Sequence, residues 1–108
     1  KNADLFGWSV SLEGDQLLVG RQSDGSLNSK GSVYAYQRQP SGAWTMTQKI
    51  ANNKPGIWGF GWAMSIDGGR VAIGAKGASA LSPRARVYIF ELENGLWVEK
   101  AEVKPSLD

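Results

Sequence analysis

The sequence predicts an all-β protein built from two four-stranded antiparallel sheets. Three observations predict it: a repeat at an offset of 54 within 108 residues, apolar residues spaced at period two rather than 3.6, and tight-turn sequences between the apolar stretches. The first unit opens with Phe6-Gly7-Trp8-Ser9-Val10-Ser11-Leu12-Glu13-Gly14, and Phe60-Gly61-Trp62-Ala63-Met64-Ser65-Ile66-Asp67-Gly68 matches it position by position. Leu17-Leu18-Val19-Gly20 then pairs with Val71-Ala72-Ile73-Gly74, and Val33-Tyr34-Ala35-Tyr36 with Val87-Tyr88-Ile89-Phe90. Gly42-Ala43-Trp44 aligns with Gly95-Leu96-Trp97 after a one-residue deletion in a turn. The chain thus reads as two units, residues 1–54 and 55–108.

Each unit divides into four strands. In the first strand Phe6, Trp8, Val10 and Leu12 point one way while Gly7, Ser9 and Ser11 point the other. The small face predicts that another backbone approaches it closely. Glu13-Gly14-Asp15 and Asp67-Gly68-Gly69 are turns. The second strand, Leu17 to Gly20, and the third, Gly31 to Tyr36, are apolar enough to be covered on both faces. Pro40-Ser41-Gly42 and Glu93-Asn94-Gly95 turn the chain again. The fourth strand, Trp44 to Ile50, is the most polar and so the outer one. No segment carries a capped apolar helical stripe.

A four-stranded meander of this length, with a period slightly above 50, is predicted to be a β-propeller blade. Phe-Gly-Trp-Ser-Val, Leu-Leu-Val-Gly and Gly-Ser-Val-Tyr-Ala-Tyr also resemble the FG-GAP repeat of the integrin α-subunit N-terminal propeller, and resemble the bacterial FG-GAP repeat proteins more closely. Phe6-Gly7 and Phe60-Gly61 match the "FG", and Gly74-Ala75 the start of the "GAP"; Lys76 replaces its proline and Gly20-Arg21 departs further. The resemblance implies a propeller, an extracellular or cell-surface setting, and a role in adhesion, binding or scaffolding.

Composition narrows the chemistry. Histidine and cysteine are both absent, which excludes Ser-His and Cys-His nucleophile pairs, imidazole metal sites and disulfides. A net charge of +2 is too small to indicate nucleic acid. No apolar run is long enough to span a bilayer, and no signal-like leader is visible; Lys1-Asn2-Ala3-Asp4 reads as an excised start. No cofactor is expected. Some FG-GAP blades hold calcium in aspartate-rich loops, but Ser23–Asn28 offers one carboxylate, Asp24, so no metal site is predicted. The pairs Glu91/Glu93 and Glu99/Glu102 read as exposed charge on solvated strands. No catalytic residue is predicted, and the chain is expected not to be an enzyme.

Loop lengths give a direction. In a meander the short turns gather at one end, and the longer connections, Arg21 to Lys30, Ala51 to Gly59 and Ala75 to Arg84, gather at the other. Binding residues concentrate on long loops held by a rigid scaffold. That end is basic, and the candidate ligand-binding residues there are Arg21, Asp24, Asn28, Lys54, Trp58, Lys76 and Arg84. The expected partner is a glycan or an acidic protein surface, with purely structural scaffolding as the alternative. Trp8, Trp62, Trp44 and Trp97 recur in both units and are expected to be core; Trp58 has no repeat partner. Two blades are fewer than a closed propeller needs. Ile50 to Phe60 spans almost the same distance as Val103 through to Phe6 of a following copy. A head-to-tail homo-oligomer is therefore expected, with further blades of a longer parent as the rival.

Overall fold

A computed structural model describes residues 6–21, 31–51, 57–77 and 86–104, with residues 57, 58, 76 and 77 described by backbone alone. Eight strands follow in order: β1 (Phe6–Glu13), β2 (Gln16–Arg21), β3 (Ser32–Arg38), β4 (Trp44–Ala51), β5 (Ile57–Asp67), β6 (Arg70–Gly77), β7 (Arg86–Glu93) and β8 (Leu96–Val103). They form two antiparallel sheets, ordered β1-β2-β3-β4 and β5-β6-β7-β8. Among the described residues there is no helix. The sheets are the predicted meanders, and the architecture is all-β and blade-like.

The registers repeat along with the sequence. Val10↔Val19 and Val19↔Tyr34 in the first sheet correspond to Met64↔Ile73 and Ile73↔Tyr88 in the second. Irregularities recur as well. The β1/β2 ladder shifts between Phe6 and Ser9, and the β5/β6 ladder between Trp58 and Ala63. Gly7 and Gly61 sit at those shifts with φ of +88° and +90°. A side chain is strained in that region, so the glycine of each Phe-Gly pair is what lets the inner strand bulge. At the opposite turn between β7 and β8, Asn94 (φ 53°) and Gly95 (φ 84°) take the left-handed pair that a two-residue hairpin requires.

Packing between the sheets follows from the small face of β1. The sheets come closest at β1 and β5 and touch only slightly at β4 and β8, as radial blades do. Ser9 Oγ donates to the Gly61 carbonyl at 2.6 Å, and Ser11 Oγ accepts from Ile66 N at 3.1 Å. Glu13 accepts from Gly68 N with both carboxylate oxygens at 3.0 Å. The predicted close backbone approach is therefore real, and serine hydroxyls satisfy it. Beyond them lies one core drawn from both sheets: Leu18, Val33, Ala35 and Ile50 meet Phe60, Val71, Ile73, Tyr88, Phe90 and Trp97. At the outer side Gln48 bridges the sheets, donating Nε2–H to Trp97 O at 2.9 Å and accepting from Trp97 N at 2.8 Å through Oε1.

Because Gln48 pairs both backbone groups of a buried residue, Gln48→Ala leaves a donor and an acceptor without partners. The expected loss is about 2 kcal/mol in chemical denaturation. Gln48→Glu should cost a comparable amount, because a carboxylate oxygen then faces the Trp97 carbonyl.

The tryptophan expectation holds for one residue of four. Trp97 is buried, whereas Trp8, Trp44 and Trp62 are exposed. Repeat-equivalent positions differ because only one inter-sheet gap exists within the chain. Phe60 faces that gap and is 1% exposed, while Phe6 at the same place in the first unit is 51% exposed. The second and third strands are likewise covered mainly where the two sheets meet.

Candidate binding face at the long-connection end

The strand directions send the connections β2–β3, β4–β5 and β6–β7 to one end, and the turns at 14–15, 39–43, 68–69 and 94–95 to the other. Arg21 closes β2 at the long-connection end, where it pairs with Phe6 and Ser32. Its Nη1 donates to Tyr34 Oη at 3.2 Å. The Phe6 ring meets Tyr34 edge-on at 5.7 Å, and Lys49 Nζ lies 5.7 Å from the Tyr34 centroid. Partial burial pushes the Tyr34 phenol up, but hydrogen bonds with Arg21 and Ser32 and the Lys49 charge outweigh it and hold the phenol below its usual range. Positive charge thus gathers around this corner of the first sheet.

Trp58 and Lys76 are strand residues, not loop residues. β5 begins at Ile57 and β6 runs to Gly77, so Ile57↔Gly77 and Trp58↔Lys76 resume the ladder beyond the bulge. The repeat places both in connections, because its match opens at Phe60, the counterpart of Phe6. The extra pairing makes them direct cross-strand neighbours. Asp24, Asn28, Lys54 and Arg84 lie outside the described residues.

The structure adds two residues that the repeat pattern assigns to the core. Trp8 and Trp62 are both exposed, and their rings lie 5.3 Å apart at an interplanar angle of 38°. Equivalent residues of successive units touch here because β1 and β5 are the strands at which the sheets converge. The signal was present: a tryptophan follows the bulge glycine in each unit. It needed the inter-sheet geometry to be read as a surface pair.

The short-turn end is occupied by structural ion pairs. Arg38 Nε reaches Asp15 Oδ1 at 2.9 Å, Arg70 Nε reaches Glu91 Oε2 at 3.6 Å, and Lys100 Nζ holds Glu93 Oε2 at 2.5 Å. Arg86 Nε on β7 similarly bonds Glu102 Oε2 on β8 at 3.1 Å. Of the carboxylates that stand out in pairs, Glu91, Glu93 and Glu102 therefore have cationic neighbours. A shallow pocket at this end, lined by Asp15, Gln37, Arg38, Gln39 and Pro40, is walled by one of these pairs. Among the described residues, no three acidic side chains converge as metal ligands. Nor is any helix there long and apolar enough to cross a membrane.

Comparison with known proteins returned no match among curated proteins or solved structures. A family model described as the FG-GAP repeat matches residues 1–36. That span takes in β1, β2 and most of β3, together with the bulge glycine Gly7 and the first strands of the meander. FG-GAP repeats are generally non-catalytic structural modules, typical of extracellular proteins. The match agrees with the resemblance carried by Phe6-Gly7, and the chain is an all-β propeller repeat module whose first three strands are similar to an FG-GAP repeat.

Proposed function

We propose that this chain is a non-enzymatic binding module that engages a carbohydrate or an acidic protein surface in an extracellular or cell-surface setting. It works as part of a propeller of more than two blades and contributes to adhesion through its long-connection end. The observation that carries this reading is the exposed Trp8–Trp62 pair. Indole faces offer rigid apolar area at little entropic cost, and a sugar ring presents C–H groups that stack on them. Arg21 lies at the same end of the sheet, and Trp58 and Lys76 sit opposite one another on β5 and β6. Guanidinium and ammonium groups recognise the carboxylate or sulfate of an anionic glycan by charge-assisted hydrogen bonds.

A glycan array that includes sulfated and carboxylated sugars tests the reading. Binding is expected, with at least a tenfold loss on Trp8→Ala or Trp62→Ala and a smaller loss on Arg21→Ala. Added salt should weaken the interaction, as screening demands. Binding that survives all three substitutions would place the site elsewhere. If no sugar or acidic protein binds at all, the chain is a scaffold.

A further inference from the structure

We propose that the partner covering the open face of the first sheet is the second sheet of another copy of this chain, docked head to tail. The inference rests on the reading of the sheets as propeller blades and names what supplies the missing ones. Each chain has one apolar face uncovered at either end. On the first sheet Phe6, Val10 and Leu12 are exposed; on the second, Val87 and Val103 are. These are the repeat counterparts of residues that meet inside the chain, so the internal contact is a template for the external one.

The template transfers in detail. Leu18 and Ala35 are cross-strand partners on the buried face of the first sheet, and both are fully buried. Their counterparts Ala72 and Ile89 are also partners, with large and small exchanged and the summed volume kept. Val33 corresponds to Val87 and Ile50 to Val103. Two of the polar contacts carry over. Ser65 stands where Ser11 accepts from Ile66 N, with Leu12 in the place of Ile66; Asp67 stands where Glu13 accepts from Gly68 N, with Gly14 in the place of Gly68. Two do not: Ala63 replaces Ser9, and Ala101 replaces Gln48. The external contact is therefore weaker than the internal one.

Two glycines support the same conclusion independently. A Cβ on Gly20 would lie 2.7 Å from the Gly61 carbonyl oxygen, and one on Gly61 would lie 2.9 Å from Val33 Cγ2. Their counterparts Gly74 and Gly7 have room to spare: nothing closer than 3.7 Å for Gly74, and nothing within 4 Å for Gly7. Among the described residues of one chain no close approach explains why Gly74 is small. A neighbouring copy, bringing its Gly7 carbonyl to Gly74, would need it to be. A heterologous contact of this kind closes into a ring where the rotation permits. Copies of two blades then build propellers of roughly four to eight blades.

Native mass spectrometry and light scattering on the purified chain, with circular dichroism alongside, test the proposal. The expected result is a β-rich, monodisperse species at a whole-number multiple, two or more, of 11.7 kDa. Val10→Lys blocks the open face of the first sheet, and Val87→Lys blocks that of the second. Both sites are exposed in the single chain, so each variant should fold and run at the mass of one copy. Mixed, the two variants retain one intact face of each kind and should form a one-to-one dimer and nothing larger. A folded wild-type monomer or a polydisperse aggregate would overturn the proposal, as expected if the missing blades belong to a longer polypeptide. A dimer of either variant alone would overturn it too, because that requires like faces to meet. A helical spectrum would instead overturn the blade reading beneath it, and glycan binding is scored separately.

Discussion

Gly20→Ala is expected to destabilise the chain by about 3 kcal/mol, a large part of the stability of a small domain. Gly20 has an ordinary φ, so the cost is steric and not conformational. The new methyl would lie 2.5 Å from Ser9 Oγ and 2.7 Å from the Gly61 carbonyl oxygen. The serine can rotate away only by giving up its own bond to that carbonyl. The carbonyl belongs to the neighbouring sheet and moves only if the sheets part. Gly74→Ala, at the same place in the second unit, meets its nearest atom at 3.7 Å and should cost less than about 0.5 kcal/mol. Urea denaturation in a Val87→Lys background, which holds the chain to one copy, measures both. Equal losses would show that the sheets do not pack as described. Adding Ser9→Ala to Gly20→Ala should restore part of the stability and no more, because the clash with Gly61 remains.

Phe60→Ala should cost about 4 kcal/mol, whereas Phe6→Ala should cost about 1 kcal/mol or less. The Phe60 ring is enclosed, edge-on to Tyr88 at 5.9 Å and to Phe90 at 6.3 Å. Its removal opens a cavity between two sheets that cannot close without losing their serine and glutamine contacts. Phe6 has one aromatic neighbour in the same geometry, Tyr34, and water on its other side. The same background and the same denaturation measurement apply. In the wild-type background Phe6→Ala should act chiefly on assembly, shifting mass toward the single copy. A loss for Phe6→Ala as large as for Phe60→Ala would mean that the first sheet is covered within the chain.

The candidate site was only partly legible in the residues. Arg21 falls at the strand end where the meander places it, because strand direction follows from turn spacing alone. Trp58 and Lys76 read as connection residues because the repeat match begins at Phe60, whereas β5 and β6 also pair through Ile57↔Gly77 and Trp58↔Lys76. Trp8 and Trp62 read as core in the sequence because they recur on an apolar face. Recurrence marks a position in the unit, but burial depends on what stands opposite that position.

The sequence by itself determined the strands, the turns, the order of each meander and the small face of β1. All of these depend on neighbours within a few residues: period-two alternation, the left-handed pair at Asn94-Gly95, and the repeat at 54. Only the tertiary structure decided which copy of each repeated residue is buried. Phe60 and Trp97 are enclosed while Phe6 and Trp44 are not, although their local sequences are nearly the same. The physical reason is that a face is buried by a second surface. Two blades provide one such contact, and leave on either side a face of the same chemistry that is not covered.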